Sequence, residues 1–106
     1  MIHFSGKDDS VRKELTEYIT KLTINTKYNL TSLQYSPQHF GNVVIELTGD
    51  NFIVRFIYDR GDIYYNKRAI NSEHWTDDQL AYNHSMPKKE VYELLLKAIE
   101  EFVTKG

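Results

Sequence analysis

The sequence predicts an α+β domain: an antiparallel β-meander of three to four strands, with an N-terminal and a C-terminal helix packed on one face. Three observations lead there. The stretches "DDSVRKELTEYITKLTI" and "MPKKEVYELLLKAIEEFV" repeat apolar residues at helical spacing. Between them "NVVIELTGDNFIVRFIYDRGDIYYNKR" alternates apolar and polar residues with period two. At 106 residues the chain has the length of one domain, residues 1–106.

In the first helix, expected over residues 9–24, Val11, Leu15, Tyr18, Ile19 and Leu22 form one apolar stripe. Asp8, Asp9 or Ser10 can cap its start, where a side-chain oxygen satisfies an orphan N–H. Next, Thr31, Leu33 and Tyr35 alternate with Ser32 and Gln34, a candidate extra strand ahead of Pro37 and Gly41. Whether Asn29-Leu30 begins that strand is open. Val43, Ile45 and Leu47 share one face of the following strand, and Phe52, Val54, Phe56 and Tyr58 one face of the next. A two-residue turn at Gly49-Asp50 would set Leu47 opposite Phe52 and make Glu46 and Arg55 diagonal neighbours. A turn at Arg60-Gly61 would set Tyr58 opposite Ile63 and Phe56 opposite Tyr65, with Gly61 supplying positive φ and Asp59 bonding the turn backbone.

The polar connection after residue 67 is too long to be structureless in a small domain. Thr76-Asp77-Asp78-Gln79 fits a capping box, so a short helix over residues 76–82 is expected, with Trp75 and Leu80 as its hydrophobic staple. The last helix should start near Pro87 and bury Val91, Leu94, Leu95, Ala98, Ile99 and Phe102, with Gly106 as its stop. Both helices then cover one sheet face. The other face carries Val44, Glu46, Ile53, Arg55, Ile57 and Tyr64, a mixture richer than a solvated face needs.

Composition narrows the function classes. Net charge is −2, and the basic residues are scattered among acids, so nothing invites a nucleic acid. No run of apolar residues approaches a membrane span. The chain has no cysteine, which excludes disulfides, thiol catalysis and Cys-based zinc sites. "MIHFSGKDDS" lacks the basic and apolar regions of a signal peptide, and with the absent cysteines this points to a cytoplasmic protein.

Each motif has a bland reading beside the functional one. Arg60-Gly61-Asp62 is the tripeptide that extracellular ligands present to integrins, and Asn29-Leu30-Thr31 and Asn83-His84-Ser85 match glycosylation triplets. Turn chemistry alone explains the first, and all three need an extracellular address. His3, His39, His74 and His84 show no paired ligand spacing, although His74, His84, Glu73, Asp77 and Asp78 could be imagined around a metal. Asp59 and Asp62 flank a turn and would be solvated, which disfavours acid–base catalysis. No phosphate loop or nucleophile elbow is present. Trp75 and Tyr82 sit among acids, where they serve either as interface anchors or as plugs at the edge of the core.

The block from Phe40 to Arg68, followed by Trp75, resembles small bacterial proteins encoded beside polymorphic or contact-dependent toxins and treated as their immunity proteins. Those have a helix, a meander with an Asp-Arg-Gly turn, a Trp in the next segment and a C-terminal helix. The matching residues here are Phe40-Gly41-Asn42, Asp59-Arg60-Gly61 and Trp75. Where such relatives often carry Gln after Asp-Arg-Gly, this chain has Asp62. The resemblance implies a non-enzymatic cytoplasmic protein, without cofactor or metal, that binds a cognate toxin stoichiometrically. A basic nuclease domain is the target an acidic inhibitor suits. The expected partner-binding acids are Asp59, Asp62, Glu73, Asp77 and Asp78, with Tyr64, Trp75 and Tyr82 as anchors. The alternative is a small regulatory or self-associating domain, a homodimer through the open sheet face around Ile53, Ile57 and Tyr64. A third is an enzyme with an unmarked pocket, which would require a cleft of convergent, pKa-shifted side chains.

Overall fold

A computed structural model describes residues 10–39, 41–60, 62–77, 79–83 and 88–105. Five strands form one antiparallel sheet in sequence order: β1 (Asn29–Ser36), β2 (Asn42–Thr48), β3 (Phe52–Asp59), β4 (Asp62–Ala69) and β5 (Gln79–Asn83). The helices are α1 (Val11–Thr23) and α2 (Lys88–Lys105). A 3-10 turn, Pro37–His39, links β1 to β2. The α+β class and the meander are as the sequence implies; the sheet has one strand more than the expected maximum.

The core lies between the helices and one face of the sheet. Val11, Leu15 and Ile19 of α1 and Tyr92, Leu95, Leu96, Ile99 and Val103 of α2 are buried with Val43, Ile45, Leu47, Val54, Phe56, Tyr58 and Ile63 of the sheet. Alternation along each strand produces this face, since successive side chains point to opposite sides. Ser10 occupies the N-cap of α1, but its hydroxyl donates to the Glu14 carboxylate (2.9 Å) and makes no cap bond. The buried stripe of α2 is turned from its expected position. Leu94, Ala98 and Phe102 are only partly buried, while Tyr92, Leu96 and Val103 are inside. Tyr92 can be buried because its hydroxyl donates to the Gly41 carbonyl at 2.6 Å, tying α2 to the β1–β2 loop.

The strand beginning at Asn29 is real, with a bulge between Leu30 and Ser32. The extra residue, Thr31, leaves the inner face expected for it and reaches Thr48 Oγ1 at 3.0 Å. The β2–β3 turn is also displaced. Gly49 N–H donates to the Phe52 carbonyl (2.9 Å), so Asp50-Asn51 is the two-residue turn. Leu47 therefore pairs with Val54, Ile45 with Phe56, and Glu46 directly with Arg55. A shift of two residues preserves every inward and outward assignment. It also leaves Gly49 as a strand-end residue against the Tyr28 ring, where a Cβ would lie 3.0 Å from Cε1. The pairing across the second turn follows expectation: Tyr58 pairs with Ile63, Phe56 with Tyr65 and Asp59 with Asp62. Arg60 itself has φ 53°, and Gly61 lies outside the described residues.

The expected short helix over 76–82 is replaced by β5. The Thr76 hydroxyl accepts from Lys67 N–H (3.0 Å), and Thr76 N–H donates to the Lys67 carbonyl (2.7 Å). Thr76 thus extends the β4 ladder instead of capping a helix. Pairing of β5 with β4 continues from Tyr65–Gln79 to Asp62–Asn83.

Candidate functional site: the helix-free face of the sheet

Neither helix covers the second face of the sheet, and register arranges it in cross-strand rows. Ser36 pairs with Asn42 and Asp59 with Asp62, and the Asn42–Asp59 side-chain bond joins the two pairs into one row. Gln34, Val44, Ile57 and Tyr64 form the next, followed by Ser32, Glu46, Arg55 and Asn66, and then by Thr48, Ile53 and Arg68. Successive rows stand two residues apart along the strands, about 7 Å. Val44, Glu46, Ile53, Arg55, Ile57 and Tyr64 are all half-buried, as expected of side chains that support one another on an uncovered sheet.

The first row is acceptor-rich. Asp59 and Asp62 are direct partners at the hairpin end. Asp59 Oδ1 accepts from Asn42 Nδ2 at 3.1 Å and lies 3.9 Å from Arg60 Nε. Asp62 Oδ2 accepts from the Tyr64 hydroxyl at 3.0 Å. The side chains of Arg60 and Asp59 remain 73% and 51% exposed, so this end of the face projects into solvent.

The opposite end carries Arg55 and Arg68 and is raised. The segment after β4 folds back, held by the Thr76–Lys67 pair and by Arg68 Nη1 donating to the Ser72 carbonyl (2.8 Å). This lays Trp75 over the sheet. Its ring centroid is 4.0 Å from the Arg55 guanidinium and 5.1 Å from that of Arg68. Arg55 Nε also donates to Asn66 Oδ1 (3.1 Å), and Asn66 is 2% exposed although it belongs to the outer face. Arg55 makes no ion pair with Glu46 across the ladder; its contacts are Asn66 and the indole. Two guanidiniums share one aromatic surface, an arrangement worth about 0.5–1 kcal/mol per contact at exposed sites.

Of the residues expected to bind a partner, the structure brings Asp59, Asp62 and Tyr64 together in two adjacent rows. Trp75 lies on the same face but about two rows from the acids, as a stacking surface for Arg55 and Arg68. Glu73 and Asp77 are exposed in the fold-back segment. Asp78 and the side chains of Leu80 and Tyr82 lie outside what the structure describes; the Tyr82 backbone pairs with Ile63. The arginine pair and the Asn42–Asp59 bond escaped sequence reasoning. Strand parity held the signal for the first, since it places Arg55 and Arg68 on one face at diagonal positions.

Among the described residues no three His, Cys, Asp or Glu side chains converge as a metal site, and no helix is long and apolar enough to cross a membrane. His84 and Asp78 of the imagined metal group lie outside the described residues. One surface depression beside the fold-back segment is lined by Phe52, Lys67, Arg68, Ala69, Ser72, His74 and Thr76.

The architecture is that of a two-layer α+β domain in which both described helices lie on the same side of the sheet. Comparison with protein families, with curated proteins and with solved structures gave no match.

Proposed function

We propose that this chain is a cytoplasmic immunity protein that neutralises a cognate toxin domain by stoichiometric binding, without catalysis, cofactor or metal. The observation that carries the reading is the projecting acidic row. Asp59 and Asp62 face each other at a hairpin end on the sheet face opposite α1 and α2. The resemblance in Asp59-Arg60-Gly61 and Trp75 points the same way. Two carboxylates held by Asn42 and Tyr64 are pre-oriented acceptors, and they suit the basic cleft of a nuclease domain. Tyr64 and the half-buried Ile57 beside them supply apolar contact area at small entropic cost.

The test is co-expression and co-purification with the toxin encoded beside this gene. Protection of the host and a one-to-one complex are expected. Reversing both acids, Asp59→Lys with Asp62→Lys, should weaken the complex at least ~10-fold, with much of the loss in association rate and at low salt. Absence of both binding and protection with the unaltered protein overturns the reading.

A further inference from the structure

The helix-free face is complementary to itself. Its acid row, with Asp59, and the row holding Arg55 lie on either side of the row of Val44, Ile57 and Tyr64. Ile57 is two residues from Asp59 and two residues from Arg55 on one strand, about 7 Å each way. The face is also stepped: low at the acid row, raised where Trp75 rests on Arg55 and Arg68.

We infer that two copies of this chain pair face to face about a two-fold axis through the Ile57–Tyr64 row, with Asp59 of each copy against Arg55 of the other. An axis in the plane of the face and across the strands reverses strand direction while keeping each strand over its counterpart. It brings each acid row onto the other copy's arginine row and each raised end onto a low end. The half-buried apolar row meets itself at the axis. Such an interface is isologous, so one pair of complementary charges is used twice. Strands aligned to within about 30° are the common arrangement for packed sheets.

The arginine geometry supports a second copy as the occupant. Arg55 is fixed by Trp75 and Asn66 and makes no ion pair with Glu46, so its remaining donors can serve an incoming carboxylate. A uniformly basic partner would suit the acid row and be repelled by Arg55 and Arg68, whereas a second copy suits both. The footprint is about 24 Å across five strands and about 17 Å along the five residues from Arg55 to Asp59, roughly 400 Å² per copy. That lies at the low end of specific interfaces, so the dimer is weak and reversible. A toxin that claims the acid row would displace the second copy. The inference does not rest on there being a toxin, because it concerns the purified chain alone.

Sedimentation equilibrium of the purified chain, from low micromolar to several hundred micromolar, tests it. The mass should rise from 12.5 kDa toward twice that value. Trp75, the single Trp, should shift its emission over the same range. Ile57→Asp should leave only monomer. Asp59→Arg and Arg55→Asp should each be monomeric, and their equimolar mixture should dimerise, because mixing restores both charge pairs. Circular dichroism establishes that each variant is folded; if Arg55→Asp does not fold, Ile57→Asp and Asp59→Arg decide. A monomer at the highest concentration overturns the inference. So does a dimer that survives Ile57→Asp and the folded charge reversals, since it would use another surface.

Discussion

Tyr28 places a phenol at the junction of α1 and β1, 2% exposed as a residue. Its ring meets Phe52 edge-on at 6.0 Å and Phe102 at 5.4 Å, with Gly49 against the ring and Lys27 Nζ 5.6 Å from its centroid. Burial raises its pKa above the ordinary phenol value, and the Asp50 carboxylate adds to the shift. The consequence for stability has a definite sign. In the unfolded chain the phenol loses its proton near pH 10. In the folded chain it holds the proton to higher pH, so above about pH 10 the native state binds more protons than the unfolded one. Stability must therefore fall as pH rises through that region, with no contribution from this group at neutral pH. Thermal melts from about pH 8 to about pH 11 should show a steeper alkaline loss of Tm for the parent than for Tyr28→Phe. Parallel curves would mean that the phenol reaches solvent without cost.

At the scale of elements, the fold-back segment between β4 and β5 depends on a few side-chain contacts: Thr76 on Lys67, Arg68 on Ser72, and Trp75 on two guanidiniums. Trp75→Ala removes both cation–π contacts, and the expected loss is about 1–2 kcal/mol. Urea denaturation followed by circular dichroism measures it, and Trp75→Phe should recover part of the loss. A Trp75→Ala protein as stable as the parent would show that the stack orders the loop without stabilising the domain. This segment is also where the sequence misleads. Thr76-Asp77-Asp78-Gln79 has the residue types of a capping box, but a Thr hydroxyl and amide serve a neighbouring strand equally well, and only tertiary pairing with Lys67 decides between them. The β3–β4 hairpin was legible because alternation on both sides of Arg60-Gly61 admits one matching register. The β2–β3 hairpin was legible in its faces but not in its turn. Gly49 has the stronger turn propensity, and the Tyr28 ring that fixes it at a strand end comes from a distant part of the chain. The acid pair could be placed from parity alone. The Arg55–Trp75–Arg68 stack could not, because it requires the path of the fold-back segment.

For the whole molecule, the sheet divides two tasks between its faces, and adjacent residues in the sequence belong to different tasks. Val44 pairs with Ile57 on the outer face, and Ile45 with Phe56 on the inner face, one ladder step away. Ile45 is fully buried against the helices, whereas Ile57 is half-buried with no helix over it. The same substitution at both positions should therefore separate folding from recognition. Ile45→Ala opens a cavity in the two-layer core and should cost about 2–4 kcal/mol in urea denaturation. Ile57→Ala removes contacts only among sheet neighbours and should cost about 1 kcal/mol or less, because much of its surface is already wet. The order reverses for association. Ile57→Ala should weaken any complex made through the outer face, whether with a toxin or with a second copy, while folded Ile45→Ala should bind as the parent does. Equal destabilisation by the two variants would mean that the outer face is a second core, closed by the fold-back segment, and not a surface held open for a partner.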